Sequence, residues 1–212
     1  AAAEESGSLA KFELGARAKQ QRRDGASDAA RDGLIAAGRL YPCYETGAEL
    51  ELMRKTASIQ GKPFIYSRAT YPLSEADEAA FKAEGRSPHW RFALTPGEIR
   101  WDDLARGDTS FEAENLSDPV LIRGDGSYLY TLCSVLDDID LGMTDIIRGE
   151  DHTSNTATQI QLFEALAAMK GLSDFSLPRF AHMPLVTGAD GSKLSKSNGA
   201  LSIRDLREDG GL

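Results

Sequence analysis

The sequence has few of the residues that mark a secreted or membrane-bound protein. Only two of its 212 residues are cysteines, which is too few for a disulfide framework and suits a reducing compartment. No apolar run approaches the roughly eighteen residues that a spanning helix needs, and no charged and apolar leader is present. We therefore expect a cytoplasmic protein without a membrane partner.

Positive charge is the second shortage. The chain has 24 lysine and arginine residues against 33 aspartate and glutamate residues, which gives a net charge of −9. This balance argues against indiscriminate binding to nucleic acid, because such binding needs clustered basic groups, although a local basic patch would still suffice for RNA. The remaining composition, 41% hydrophobic and 27% charged, is that of a globular protein with one or two domains.

The amino-terminal segment lacks a core pattern. Residues 1–8 look like a frayed terminus, and residues 9–26 are polar and basic. We expect a solvated helix face or disorder there, with an RNA contact as the alternative. Ser27 is then predicted to cap a helix whose apolar stripe includes Ala30 and Leu34.

Residues 39–118 combine helix signals with strand-like alternation. Capping sequences at 46–49 and 74–77 each predict the start of a helix. Apolar and polar residues alternate with a period of two over 89–94 and again over 99–101, which predicts strands. This segment is therefore expected to form a small α+β unit.

The remaining sequence alternates between strand and helix signals. Strands are predicted at 120–122, 127–130, 145–148 and 180–186, and helices at 132–139 and, after capping residues at 151–154, through residue 169. Such alternation predicts a parallel sheet covered on both faces. Because ligands of open α/β sheets bind beyond the carboxyl ends of the strands, functional residues are expected directly after such ends.

A charged cluster follows the predicted strand 145–148. Arg148 can hold a carboxylate in a two-pronged hydrogen bond. Glu150 or Asp151 can accept hydrogen bonds from ribose hydroxyls or an adenine amino group, and His152 presents a flat ring to a nucleotide. The alternative is purely structural, with Asp151 capping the next helix while Arg148 and Glu150 pair on the surface.

A glycine-flanked loop places Lys193 and Lys196 three residues apart. Compact ammonium groups suit phosphate oxygens, and Leu194 and Ser195 add a backbone amide and a hydroxyl between them. Donors aimed at charge that develops in phosphate transfer contribute roughly 3 kcal/mol each. The alternative is a solvated surface loop that happens to carry two lysines.

Four segments together resemble the bacterial glutamyl-tRNA synthetases, a class I family. They are residues 40–46, 118–130, 148–152 and 193–197, and their order and spacing match the family over roughly 27–207. The resemblance implies ATP-dependent attachment of L-glutamate to tRNA(Glu), with ATP entering as its Mg²⁺ complex. Two alternatives remain open: a glutamyl-queuosine tRNA synthetase-like enzyme that modifies a tRNA base, and a non-catalytic module that binds tRNA or a protein partner.

The resemblance also implies roles for individual residues. The catalytic pair is Lys193 and Lys196, which act on the leaving phosphates. Glutamate is bound by Tyr130 and Arg148. Ser134 lies one helical turn after Tyr130 and is assigned to the same glutamate-binding pocket on that spacing alone, with a plain helix-surface serine as an equal alternative. The ATP-binding residues are Glu150, Asp151, His152, Lys193, Leu194, Ser195 and Lys196.

The implied fold is α/β. Residues 119–212 would form the second half of a Rossmann-like catalytic domain, residues 27–118 an inserted α+β domain of the acceptor-stem-binding type, and residues 1–26 an unmatched tail. The His-x-Gly-His motif of the family's first half and its anticodon-binding domain are missing from the sequence. We therefore expect a monomeric, partial catalytic region with impaired or no activity by itself.

Zinc is not expected. Some members of the family hold zinc in the inserted domain on Cys-x-Cys and Cys-x-His pairs. Here the first pair is replaced by Cys43-Tyr44-Glu45, and Tyr66-Ser67-Arg68 offers neither cysteine nor histidine. Because one thiol cannot complete a tetrahedral structural site, Cys43 is expected to be a small buried hydrophobe. His89 and His182 are expected to be core or surface residues.

Overall fold

The computed structural model describes residues 25–66, 68 and 71–185, which form a mixed α/β structure with two sheets. The elements, in chain order, are α1 (25–36 within the described residues), β1 (Leu40–Cys43), α2 (Gly47–Ile59), α3 (Glu75–Ala83), β2 (His89–Phe92), β3 (Glu98–Asp103), β4 (Gly107–Glu112), β5 (Val120–Ile122), α4 (Tyr130–Asp140), β6 (Asp145–Gly149), α5 (Thr153–Met169) and β7 (Arg179–Met183). The predicted α/β class is confirmed.

The first sheet contains three antiparallel strands in the order β1-β2-β5. In its register Cys43 lies opposite His89, and Tyr41 lies opposite Arg91. Because side chains alternate between the two faces of a strand, these four residues share one face. The opposite face, which includes Phe92, joins the main core. Both faces of β2 are thus covered, whereas the alternation of apolar and polar residues in the sequence had indicated one buried face.

Capping sequences determine where helices α2 and α3 begin. At α2 both halves of the capping box are formed, because the Thr46 side chain accepts the Glu49 N–H at 3.2 Å and the Glu49 carboxylate accepts the Thr46 N–H at 2.6 Å. At α3, Ser74 caps the backbone of Asp77 at 3.1 Å. The predicted cap at Ser27 is wrong, because the helix already includes residue 25 and the Ser27 side chain is buried within it.

The second sheet has the order β4-β3-β7-β6. Strand β7 runs parallel to both β3 and β6, and β3 forms an antiparallel hairpin with β4. Strand β4 was not predicted, because its sequence lacks apolar alternation; Phe111, which stacks on Trp101 with ring centroids 5.9 Å apart, is its one large apolar side chain. Strands β3 and β4 precede residue 118, and β6 and β7 follow it, so this sheet contains residues from both sides of the predicted domain boundary. The division into an inserted and a catalytic domain at residue 118 stays a prediction.

Helices α4 and α5 supply the rest of the core. The predicted stripe of α4 is confirmed, with Leu132, Val135 and Leu136 buried. The predicted return strand 127–130 is wrong: only Tyr128 bridges to Ile122, and residue 130 already begins α4. The helix starts earlier because the Leu132 and Cys133 N–H groups both bond to the carbonyl oxygen of residue 129, at 3.1 and 3.3 Å.

Helix α5 also connects the two sheets. The Gln161 side-chain carbonyl accepts the Thr95 N–H at 2.7 Å, and its amide donates to the Thr95 carbonyl at 2.8 Å. Arg39 adds a donor to the same glutamine at 3.1 Å. Within the described ranges, none of the helices combines the length and the apolar character that crossing a bilayer requires.

Candidate active site

The candidate site lies at the carboxyl end of β6, as the fold class predicted. A short 3-10 helix, Glu150–His152, follows the strand directly and leads into α5. A Cβ added at Gly149 would lie 2.6 Å from Asp151 Oδ1 and 3.4 Å from Leu185 Cδ2. Glycine therefore allows the close backbone approach that this turn needs.

Arg148 is held by three buried side chains. Its Nη2 donates to Gln159 Oε1 at 2.7 Å and also to the Thr156 hydroxyl, and its Nε lies 3.5 Å from His182 Nε2. Thr156 and Gln159 are uncharged acceptors for the guanidinium. The position of the guanidinium is thus defined by the protein, while its positive charge is not neutralised by these contacts.

The charge of Arg148 remains available. Burial lowers the pKa of Arg148, while nearby Tyr130 and Asp138 act in the opposite direction. Among the residues that the structure describes, Arg148 takes part in no ion pair. A partly buried guanidinium with neutral partners is suited to a carboxylate ligand, because its planar fork can donate two parallel hydrogen bonds.

Beneath Arg148 lies the buried pair of Asp103 and His182. The Asp103 carboxylate accepts hydrogen bonds from the His182 ring Nδ1, the His182 N–H at 3.0 Å, Trp101 Nε1 at 3.2 Å and the Ala105 N–H at 3.1 Å. Burial by itself would raise the pKa of Asp103, but these hydrogen bonds outweigh it and hold the pKa well below its usual range. The carboxylate accepts the proton of Nδ1, and the other ring nitrogen, Nε2, lies 2.8 Å from the Thr156 hydroxyl.

The predicted glutamate-binding residues come together. Ser134 accepts a hydrogen bond from Gln159 Nε2 at 3.0 Å, so it belongs to the network that holds Arg148. Tyr130, at the first turn of α4, is exposed, and its ring centroid lies 6.3 Å from that of His152. Tyr130 projects from this helix and not from the strand that was predicted at 127–130.

The predicted nucleotide-binding residues lie on the short 3-10 helix. Glu150 pairs with Arg106 at 2.5 Å and accepts the Leu185 N–H at 3.2 Å. The surface pair of Arg148 and Glu150 considered above is therefore not formed. Nor does Asp151 cap α5, because His152 is the N-cap residue. Lys193, Leu194, Ser195 and Lys196 lie outside the described residues.

Several residues of this network were missed by the sequence analysis. Thr156 and Gln159 are buried on α5, but only the apolar stripe of that helix had been considered. Their signal was two polar residues three apart in a helix that follows the charged cluster. His182 was predicted to be a core or a surface residue, and it is buried. Its partner Asp103 lies far away in sequence and gave no local signal.

Three potential metal ligands also converge in the first sheet. One ligand atom from each of Cys43, Glu45 and His89 lies within 4.8 Å of the others. His89 was expected to be a core or surface residue, because the cross-strand register that brings it to Cys43 is not visible in the sequence.

Residues 11–212 match the family model described as tRNA synthetases class I (E and Q), catalytic domain. The chain belongs to this family. The synthetase resemblance inferred from the four sequence segments is thereby confirmed. Arg148 lies at the carboxyl end of a strand, where ligands of open α/β sheets bind.

Curated relatives in the synthetase family carry the name glutamate–tRNA ligase. The chain is 55% identical over 192 residues to glutamate–tRNA ligase 2 of Methylorubrum populi, which covers 91% of this chain and 41% of that protein. It is 53% identical over 195 residues to glutamate–tRNA ligase of Azospirillum brasilense, covering 92% of the chain and 42% of the relative. The chain thus spans about two fifths of the length of these relatives.

Solved structures agree with the sequence relatives. The structure of a glutamate tRNA ligase from Elizabethkingia meningosepticum in complex with its amino acid has a TM-score of 0.69 and 27% identity, covering 90% of this chain and 37% of that one. The glutamate–tRNA synthetase of Elizabethkingia anophelis has a TM-score of 0.70 and 26% identity over similar shares. The class I synthetase fold of the chain is therefore established.

Proposed function

We propose that this chain is part of the catalytic region of a glutamate–tRNA ligase, which activates L-glutamate with ATP and transfers it to tRNA(Glu). The observation that carries the proposal is Arg148, whose guanidinium is held in place by Thr156 and Gln159 without a carboxylate partner among the described residues. Glutamate supplies two carboxylates, and the relatives are named for that amino acid.

The proposed chemistry needs positioning more than covalent participation. The α-carboxylate of glutamate attacks the α-phosphorus of ATP. The bond between the α-phosphorus and the oxygen that bridges it to the β-phosphorus breaks, and pyrophosphate leaves with Mg²⁺. A terminal ribose hydroxyl of tRNA then attacks the glutamyl carbonyl and AMP leaves. Holding the two reactants in line and stabilising the phosphate charge account for most of the rate in such transfers.

Each predicted site residue has a place in this scheme. Arg148, with Tyr130 and Ser134, orients the amino acid. Glu150, Asp151 and His152 surround the nucleoside of ATP. Lys193 and Lys196, with the backbone amide of Leu194 and the hydroxyl of Ser195, bind the phosphates that leave.

The domain roles follow from the same proposal. Residues 27–118 would support the acceptor end of tRNA, and residues 119–212 would form the second catalytic half, with 1–26 as a tail. We place the protein in the cytoplasm, where its substrates are found, and we expect it to be a monomer.

The test uses a chimeric ligase, in which the 192-residue matching segment of the Methylorubrum populi enzyme is replaced by the corresponding segment of this chain. We expect glutamate-dependent ATP–pyrophosphate exchange within about tenfold of the parent. Arg148→Lys should raise the KM for glutamate about 100-fold, because lysine cannot donate two parallel hydrogen bonds to one carboxylate. The KM for ATP should change little.

Arg123→Lys is the matched control, because Arg123 is an exposed arginine outside this network. An Arg148→Lys chimera with an unchanged KM for glutamate would refute the assigned role. Transfer of glutamate to a modified tRNA base instead of the terminal ribose would identify the glutamyl-queuosine type of enzyme. A chimera that folds and binds tRNA without any exchange would identify a binding module.

A further inference from the structure

The three potential ligands in the first sheet converge because of strand register. Cys43 and His89 lie directly opposite each other on β1 and β2, and Glu45 follows Cys43 by two residues. Their ligand atoms lie within 4.8 Å of one another. Ligand atoms that each lie about 2.0–2.3 Å from one zinc ion are roughly 3.3–3.8 Å apart. Small side-chain adjustments would therefore let all three reach one ion.

Two of these three side chains carry a polar atom that is buried without a partner. Glu45 Oε2 and His89 Nε2 make no hydrogen bond within the part of the chain that the structure describes. A buried polar atom that lacks a partner is destabilising by about 1–3 kcal/mol, and more if it is charged. The other carboxylate oxygen of Glu45 accepts the Tyr66 hydroxyl at 2.7 Å, which fixes the carboxylate and directs Oε2 away from that bond.

The protonation states suit a cation. Burial, and then the positive charge of Arg91, lower the pKa of His89, so its imidazole is neutral and can bind a metal. Burial raises the pKa of Cys43 to about 11. A thiol of that kind is protonated at neutral pH, and a bound cation would displace its proton.

We propose that Cys43, Glu45 and His89 bind one borderline-soft divalent cation of the zinc class. A thiolate, an imidazole and a carboxylate are the ligands that zinc takes in proteins, and three of them leave a fourth position open. Cys43 and Glu45 also line a cavity of about 270 Å³, which provides a path for the ion and room for a water ligand. The set differs from the paired cysteines of zinc-binding relatives, because β2 supplies His89. This proposal replaces the expectation that no zinc is bound.

Arg91 limits the strength of this site. Its guanidinium carbon lies 3.9 Å from the Tyr66 ring centroid, on the same sheet face as His89. A positive charge there opposes the binding of a cation, and the Glu45 carboxylate offsets it. We therefore expect Glu45 to be needed for its charge as well as for its oxygen atom.

The test is titration of the reduced, metal-free 212-residue chain with Co²⁺, followed by displacement with Zn²⁺. We expect one ion per chain, a thiolate-to-cobalt charge-transfer band, and the visible absorption of four-coordinate cobalt. Zn²⁺ should abolish both signals and raise the midpoint of thermal unfolding, because a ligand of the folded state stabilises it. This readout is independent of ligase activity, so failure of the proposed function would leave it intact.

The variants separate the ligands from one another. Cys43→Ser should remove the charge-transfer band, His89→Asn should weaken Co²⁺ binding at least tenfold, and Glu45→Gln should weaken it similarly while keeping the band. Cys133→Ser, which removes the other thiol, should leave every signal unchanged. Circular dichroism checks that each variant is folded, and titration of the unaltered chain decides the matter even if a variant is not. Absence of the band and of a zinc-dependent rise in the unaltered chain would overturn the proposal and leave an ordered water as the occupant.

Discussion

Each of the two sheets has one buried aspartate at the centre of a hydrogen-bond network, Asp118 for the first sheet and Asp103 for the second. The two networks differ in the position of the arginine relative to the carboxylate. Asp118 is 3% exposed. Its carboxylate accepts from the Tyr41 hydroxyl at 2.6 Å, the Leu94 N–H at 2.9 Å and Arg68 Nη2 at 2.7 Å, with a second contact from Arg68 Nε. The cation therefore lies directly against the carboxylate, and the network is closed.

Asp103 is 1% exposed and equally well bonded, but no lysine or arginine side chain pairs with it among the described residues. Its hydrogen bonds continue through His182 and Thr156 to Arg148. The cation of this network is Arg148, which is separated from the Asp103 carboxylate by the His182 ring and the Thr156 hydroxyl. A direct ion pair stabilises the fold, whereas a separated one leaves the cation to bind a ligand.

Breaking the closed network should have the largest effect. Asp118→Ala removes the acceptor of the buried Tyr41 hydroxyl and of the buried Leu94 N–H. Arg68 also loses its partner, but its side chain is 37% exposed and remains solvated. We expect a loss of about 3–4 kcal/mol in the free energy of unfolding, measured by urea denaturation, because each buried donor without an acceptor is destabilising by about 1–3 kcal/mol. Asp108→Ala is the matched control, because Asp108 is exposed and pairs with Arg100 at 3.3 Å; its loss should stay within about 0.5 kcal/mol. Equal losses in both variants would show that the Asp118 carboxylate is not buried in solution.

Breaking the open network should have a smaller and pH-dependent effect. The pKa of Asp103 is lower in the folded protein than its ordinary value. A group of this kind contributes stability above its unfolded pKa of about 3.9, and the contribution is lost as pH falls toward the folded pKa. Asp103→Asn should lower the free energy of unfolding at neutral pH by about 2–3 kcal/mol.

The dependence of stability on pH below about 4 makes that prediction more specific. Because asparagine does not titrate, the difference between Asp103→Asn and the unaltered chain should shrink as pH falls below about 4. Urea denaturation over this pH range measures both chains under the same conditions. A difference that stays constant with pH would mean that Asp103 is not ionised beside His182.

The sequence predicted the parts of the fold that depend on neighbouring residues. The helix start at Thr46 and the apolar stripe of α4 follow from side chains three or four positions apart. The cluster at Arg148 was also found, because it directly follows an apolar strand. Each of these features is decided by short-range interactions.

The features that were missed depend on register between distant segments. Asp103 reaches His182 only because β3 and β7 are parallel neighbours, and His89 reaches Cys43 only across the antiparallel pair β1 and β2. Strand β4 was missed for a related reason, since one packed side chain, Phe111, is enough to hold an edge strand against β3. Tertiary pairing selects such elements, and the local pattern does not.

The smallest expected change is the most specific test of the open network. Thr156 lies between His182 Nε2 and Arg148, and its hydroxyl accepts from the guanidinium and lies 2.8 Å from the imidazole nitrogen. Thr156→Val keeps the shape and removes that link. In the chimeric ligase we expect the KM for glutamate to rise about tenfold, which corresponds to about 1.4 kcal/mol, while kcat and the KM for ATP change less than twofold.

Thr158→Val provides the matched control on the same helix. Its hydroxyl is also mostly buried, but it donates to the backbone carbonyl of Asn155 at 2.8 Å and has no contact with Arg148. Both variants lose one buried hydroxyl from α5, so a general loosening of the helix would change glutamate binding in both. A rise confined to Thr156→Val would mean that the hydroxyl acts by holding the guanidinium in position. Equal rises would assign the effect to the helix and would remove the functional distinction between the two aspartate networks.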